Sequence, residues 1–251
     1  MKATIRAMMI LGMFGAVAAG QDAAKKPGDL TDPVEILKKA DDACKTVEFI
    51  QYTASIQGSG AAESRTGKAS GTVTLKGRKT GGGAEQARYE AKVQQPGSSE
   101  TNEITVGSDG KTYFLINFKE KKVYEDIDPQ VVGTTGRGVR ALTMQEYMHP
   151  EPYSDEIKAK KQELKGSAKV GEEDCYEVDV QYSQEGVEAT WFFSKKDFLP
   201  RRVDRRFQSP TGEKGGSQLI VTKLTLNPKI DKDPFKLVVP EGFTKIDDFA
   251  P

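Results

Sequence analysis

Two periodicities divide the chain. Between residues 32 and 47 apolar positions recur every three to four residues. Val34, Leu37, Ala40, Cys44 and Val47 share one stripe, and Lys38, Lys39, Asp41 and Asp42 fall elsewhere. Asp32 stands where a capping side chain is needed, Pro33 suits the first helical position, and Glu35 can reach back as in a capping box. This predicts an amphipathic helix that must dock on something. From Glu48 onward the period is two. Ile50 and Tyr52, Val73 and Leu75, Tyr89, Ala91 and Val93, and Ile104 and Val106 alternate with polar neighbours. Tyr176, Val178, Val180 and Tyr182 face away from Cys175, Glu177, Asp179 and Gln181, and Ala189, Trp191 and Phe193 continue the pattern. Further strands are expected over 201–207 and 218–226. Turn signals separate them: Ser108-Asp109-Gly110-Lys111, residues 183–186, Phe198-Leu199-Pro200 and the Gly-rich 209–217. Short strands joined by turns rather than helices argue antiparallel all-β.

Most of these strands have one apolar and one polar face, as in a sheet with one side in water. The stretch 112–118 differs, because Phe114, Ile116 and Phe118 oppose Tyr113 and Leu115, so both its faces should be covered. A short helix is expected near Thr143, with that residue as cap, Glu146 three positions on, and Leu142 and Tyr147 as a hydrophobic staple. Residues 133–140 before it read as a loose Gly-rich loop, and Gly81-Gly82-Gly83 as a hairpin tip or loop. The fold expected is mainly β: an unclosed antiparallel half-barrel with amphipathic helices covering its concave face. If the helices leave that face incompletely filled, the remaining space is an apolar pocket.

The N-terminus adds a destination. Lys2 and Arg6 precede a short apolar run from Ala7 to Ala19, and small residues before Gln21 suit signal cleavage. The run is shorter than the roughly 20 residues a membrane span needs. Residues 1–20 thus read as a signal peptide, 21–31 as a flexible linker and 32–251 as one half-barrel domain of a periplasmic or secreted protein. Composition narrows the partners. Lys+Arg and Asp+Glu are each 37 in 251 residues, which leaves no electrostatic footprint for nucleic acid. One His and two Cys cannot build a His- or Cys-rich metal site, and no cofactor is expected.

Catalytic readings find little support. His149, in Met148-His149-Pro150-Glu151-Pro152, looks like an exposed junction, and no G-x-S-x-G elbow supplies a nucleophile. Residues 133–138 lack the Gly-Lys-Ser/Thr ending of a phosphate loop. The acidic pairs Asp41/Asp42, Glu172/Glu173 and Asp247/Asp248 read as solvated surface. Arg201, Arg202, Arg205 and Arg206 form the densest basic segment. A phosphate or head-group site is conceivable there, but cross-strand pairing with Glu177, Asp179 or Glu188 is the simpler expectation. Cys44 and Cys175 are candidates for a disulfide in an oxidising compartment. Parity weighs against the bond, because Cys44 lies on the helix's apolar stripe and Cys175 on the polar side of its strand.

Several stretches together resemble the LolA-like outer-membrane lipoprotein-sorting proteins. They are Val106-Gly107-Ser108-Asp109-Gly110-Lys111-Thr112-Tyr113-Phe114, the strand over 171–180, Trp191-Phe192-Phe193-Ser194 through Phe198-Leu199-Pro200-Arg201-Arg202-Val203, and Asp233-Pro234-Phe235 through Pro240-Glu241-Gly242-Phe243. The family's Arg-Pro-aromatic hairpin is missing: residues 77–88 are Gly-rich without Pro, and Trp191 is the only Trp. The resemblance implies a broad, divergent member whose cavity holds lipid or lipoprotein acyl chains, without cofactor or catalysis. Leu37, Val47, Tyr89, Val93, Phe114, Val178, Trp191 and Phe193 are the expected cavity lining, although apolar alternation by itself says only that they are buried. The expected function is a monomeric carrier. The alternative is an envelope sensor or scaffold that binds a membrane or partner protein through the same fold.

Overall fold

A computed structural model describes residues 29–133, 137–209 and 211–246, with 64, 65, 133 and 137 described by backbone alone. The signal read over 1–20, nearly all of the linker and the pair Asp247/Asp248 lie outside the described residues. Twelve strands build one sheet: β1 (Phe49–Gly60), β2 (Lys68–Lys79), β3 (Gly83–Gln94), β4 (Thr101–Ser108), β5 (Tyr113–Asn117), β6 (Lys122–Asp126), β7 (Lys161–Val170), β8 (Glu173–Gln181), β9 (Val187–Ser194), β10 (Pro200–Gln208), β11 (Lys214–Leu226) and β12 (Thr244–Ile246). Their order is β12-β6-β5-β4-β3-β2-β1-β11-β10-β9-β8-β7. Every pairing is antiparallel except β12 on β6, and the sheet does not close. Two meanders, β1–β6 and β7–β11, are thus joined where β11 returns beside β1.

The period of two becomes visible in the register. Tyr52, Val73, Tyr89, Val106, Leu115 and Tyr124 form one continuous cross-strand row. Leu219, Val203, Trp191 and Val178 form the corresponding row of the second meander. Both rows point to the same inner face, which is covered by a helix and a long connecting strap. The helix α1 (Pro33–Lys45) begins as expected, with Asp32 accepting from the Val34 amide at 2.9 Å. Glu35 reaches forward to Lys39 at 4.0 Å. Leu37, Ala40 and Cys44 are buried, and Ile36 joins them, so the buried stripe is wider than the one read from sequence.

The strap over residues 130–157 departs from expectation. Helical turns at Gln130–Gly133 and Arg137–Arg140 take up part of the stretch 133–140 read as a loose loop, and Val131, Val132 and Val139 are buried. Thr143 caps nothing. The turn is a 3-10 helix, Gln145–Tyr147, preceded by Met144, and the Thr143 hydroxyl instead bonds Tyr89 Oη at 2.9 Å. A further turn, Ser154–Ile157, closes the strap.

The stretch 112–118 is covered on both faces. Leu115 belongs to the main core, whereas Phe114, Ile116 and Val123 form a separate outer cluster with Phe118, Leu237 and Phe243. The closing segment laid on this outer face explains its own motif: Phe243 meets Phe118 edge-on at 5.5 Å and Phe235 meets Phe49 at 6.1 Å. Gly107 is required opposite Phe114, because a Cβ there would sit 2.2 Å from the ring.

Candidate functional site

Most of the space between sheet and helix is solidly filled. Tyr153 meets both Trp191 and Phe193 edge-on at 5.2 Å, and Tyr147 meets Tyr52 at 5.4 Å. Tyrosines of sheet and strap also hold the two together by hydrogen bonds. Tyr52 Oη accepts from the Met144 amide at 3.0 Å and donates to the Leu142 carbonyl at 3.3 Å. Tyr147 Oη donates to the Pro200 carbonyl at 2.6 Å. Asp41, read as a solvated acid, is buried, accepts from the Tyr153 amide at 3.1 Å and pairs with Lys45.

Arg78 is a residue the sequence reading missed. Gly77 takes φ 70 beside it, a conformation open to glycine at little cost. The Arg78 guanidinium donates to the Cys44, Val47 and Tyr147 carbonyls at 2.6, 3.2 and 3.1 Å, and also to that of His149. One side chain therefore satisfies the carbonyls at the end of α1 and at the end of the 3-10 turn. Burial lowers its pKa from the usual arginine value.

Of the eight residues expected to line a cavity, Leu37, Val47, Val93, Val178, Trp191 and Phe193 are packed in the main core. Phe114 is on the opposite face of the sheet. Tyr89 alone of the eight lines the cavity that the fold leaves open at the β2–β5 end of the inner face, about 420 Å³ in volume. Leu75, Ala87, Tyr89, Val106 and Tyr113 form its floor, and Val132, Thr143, Gln145 and Met148 of the strap form its roof. Lys79, Gly81-Gly82-Gly83, Ala84, Gly107, Ser108 and Arg140 complete the lining. The glycine tip, read as a mere hairpin end, is thus a wall of this cavity. It lies in the very stretch, 77–88, where the chain departs from the family's hairpin. Burial raises the Tyr89 phenol above its usual pKa, while the Thr143 hydrogen bond and the positive charge of Arg140 pull it down.

A second polar cluster lies beneath β8–β10. Glu146 is buried, its pKa raised by desolvation and opposed by Arg205, which pairs with it at 3.1 Å; its Oε2 has no partner. Glu156, likewise raised by burial, accepts from Tyr182 Oη at 2.6 Å, and Trp191 Nε1 donates to that same Oη at 3.4 Å. The arginine row resolves into pairs. Arg206 meets Glu188 and Asp179 across strands at 3.6 and 3.8 Å, as expected, but its neighbours choose other partners. Arg201 pairs with Asp197 and Glu173, and Arg202 with Asp204.

Reactive chemistry is sparse. Half-buried His149 faces the backbone of Glu151 through Nδ1. Among the described residues no group of three or more His, Cys, Asp and Glu side chains could hold a metal. Cys44 and Cys175, candidates for a disulfide against which parity weighed, are both free, and the two thiols belong to different clusters. Cys44 is in the inner core, while Cys175 lies with Val170 and Phe192 in another. Parity on the strand prevails over proximity to an element end. Burial pushes the Cys175 thiol up to about 12 and the Cys44 thiol well above its usual value, so both are protonated and unreactive at neutral pH.

No protein-family model matches the chain, and no curated protein matches it. Solved structures do. LprF from Mycobacterium bovis is 14% identical with a TM-score of 0.47, over 82% of this chain and 99% of that one. A LolA superfamily protein from Nitrosomonas europaea is 12% identical with a TM-score of 0.32, over 83% and 99%. In the Pseudomonas aeruginosa MucA/MucB complex the values are 12% and 0.43, over 82% of this chain and 61% of that one. The unclosed antiparallel half-barrel implied by the LolA-like motifs is the architecture this chain forms, and at these identities and scores the likeness carries over no ligand or partner.

Proposed function

We propose that the chain is an exported carrier that shelters an acyl chain of a lipid or lipoprotein in the cavity between β2–β5 and the strap. The observation that supports this reading is the cavity itself, about 420 Å³ with an apolar floor. That volume falls in the range of small-ligand sites, roughly 300–1,000 Å³. Each methylene removed from water contributes about 0.8 kcal/mol before ordering costs. Binding and release, with no covalent step, is the chemistry proposed, and the periplasm or the exterior is the compartment.

The scaffold alternative depends on a sheet edge that can accept a partner strand. Edge strand β7 presents Lys161, Lys165 and Lys169 and is broken by a register shift between Leu164 and Gly166, while β12 at the other edge has three residues. Charges, bulges and shortness are the features that discourage edge pairing, so the carrier is favoured.

Native mass spectrometry of protein purified from its own envelope, followed by solvent extraction, tests the reading. A bound species with an acyl-chain mass is expected. A repeatedly clean apo mass sinks the carrier, and a stoichiometric protein partner in its place installs the scaffold. The variant to pair with it is Ala87→Trp, which fills the cavity from its floor. Its ligand occupancy should fall by about tenfold or more as buried methylenes are excluded, with folding intact. Phe193→Asp would not serve, since Phe193 is fully buried against Tyr153 and Trp191 and its loss tests folding.

A further inference from the structure

The cavity carries charge of one sign. Lys79, at the end of β2, and Arg140, at the end of the Arg137–Arg140 turn, are exposed and contribute to its lining, which includes no acidic side chain. Among the described residues no carboxylate forms an ion pair with either. The arginines of β10, by contrast, all have acidic partners, and the lysines of edge strand β7 sit beside Glu163 and Asp174. Two cations over an apolar floor match a molecule with the same division, an apolar tail and an anionic head.

Volume bounds the tail. Water occupies about 30 Å³ in the liquid, and a methylene in a liquid alkane takes close to the same, so the cavity has room for about a dozen methylenes. That accommodates one chain of moderate length.

We propose that the cavity selects a single-chain anionic amphiphile, its chain lying on Leu75, Ala87 and Val106 and its carboxylate or phosphate head held by Lys79 and Arg140. This rests on the acyl-carrier reading and adds the head-group class. The charge of Arg140 is already felt inside the cavity, where it favours the ionised form of the Tyr89 phenol. An anionic head drawn to the two cations would therefore hold the chain end at the rim rather than let it slide deeper.

Calorimetric titration of delipidated protein tests this with three twelve-carbon probes below their micellar concentrations: laurate, dodecyl maltoside and dodecyltrimethylammonium. Inorganic phosphate is added as a head without a tail. Laurate should bind about tenfold or more tighter than the cationic probe, with the neutral one between, because two opposite-sign contacts replace two like-sign ones. The variant Lys79→Glu/Arg140→Glu, altered only at exposed positions, should reverse that order and keep the wild-type melting curve. Equal affinity for all three chains overturns the head-group proposal and leaves the carrier standing. An unchanged preference in the variant overturns it as well. If no chain binds, the carrier reading fails with it, and binding of phosphate alone would show an anion site that needs no tail. Phosphate-headed and carboxylate-headed ligands are then separated by comparing laurate with a dodecyl phosphate.

Discussion

The two ends of the inner face are built from the same alternation and reach opposite outcomes. Over β8–β10 the inward positions are Val178, Trp191, Phe193 and Val203, and the strap lays Tyr147 and Tyr153 onto them, so this row is filled. The space left at this end, about 430 Å³, lies beyond it, among the polar side chains of Asp155, Lys158, Tyr182, Glu188 and Arg205. Over β2–β5 the inward positions include Ala87, Val106 and Ser108 beside a triple-glycine tip, and the strap offers Val132, Thr143 and Gln145. Small side chains below and slender ones above leave about 420 Å³ between them. Apolar periodicity reports which side chains leave water. It does not report whether the partner across the gap is large enough to meet them. Core and cavity are separated here by side-chain volume.

The largest effect should come from emptying the filled end. Trp191→Ala removes a fully buried side chain stacked on Phe193 and edge-on to Tyr153, and substitutions of this kind cost about 3–5 kcal/mol. Denaturant unfolding should show that loss as a lowered midpoint. A fall of under about 1 kcal/mol would mean that this end collapses to fill the space, and the contrast between rigid core and open cavity would then be overstated.

Arg78→Met comes next. It keeps length and apolar bulk but strips the donors from carbonyls of Cys44, Val47, Tyr147 and His149. Buried acceptors left unsatisfied cost about 1–3 kcal/mol. The variant should lose stability in that range, with hydrogen exchange rising first in the 3-10 turn and the end of α1. Uniform exchange across the sheet would show that Arg78 does not specifically tie the strap to β2.

These two residues also mark what the sequence made legible. Trp191 could be read as buried, and α1 could be read with its Asp32 cap, because period and capping are local properties of neighbouring positions. The two-sided burial of β5 was visible for the same reason. The strap was not, since its structure is fixed by partners about 50 to 90 positions away: Tyr52 on Leu142 and Met144, and Pro200 on Tyr147. Thr143 looked like a cap until Tyr89 was brought beside it. Arg78 left only a faint trace, an arginine following a glycine in a strand. Candidate cavity residues were chosen by hydrophobicity, which selects the residues that fill space. The cavity was signalled instead by what is small, Gly81-Gly82-Gly83, Ala84 and Ala87, in the region where the family's Arg-Pro-aromatic hairpin is missing.

The smallest predicted effect separates the two ends by pH. Beneath the filled end Glu146 and Glu156 are both held above the ordinary carboxylate pKa by burial, Arg205 opposing the shift at Glu146 and the Tyr182 hydrogen bond opposing it at Glu156. Their other charged neighbours are His149, which favours the Glu146 anion, and Glu146 and Asp155, which raise Glu156. A group whose folded pKa is raised binds more protons folded than unfolded. Its contribution to stability is therefore complete below the unfolded value of about 4.3 and is lost as pH rises through the folded value. Glu146 and Glu156 each contribute a fall in melting temperature across that window, and Glu146→Gln should remove its own share of the slope, leaving those of Glu156 and Glu177 and the opposite contribution of Asp109. Ala87→Trp, altered at the other end, should keep the wild-type pH slope. If Glu146→Gln melts with an unchanged slope, the Arg205 ion pair has fully offset the desolvation of Glu146, and the filled end is electrostatically balanced rather than strained.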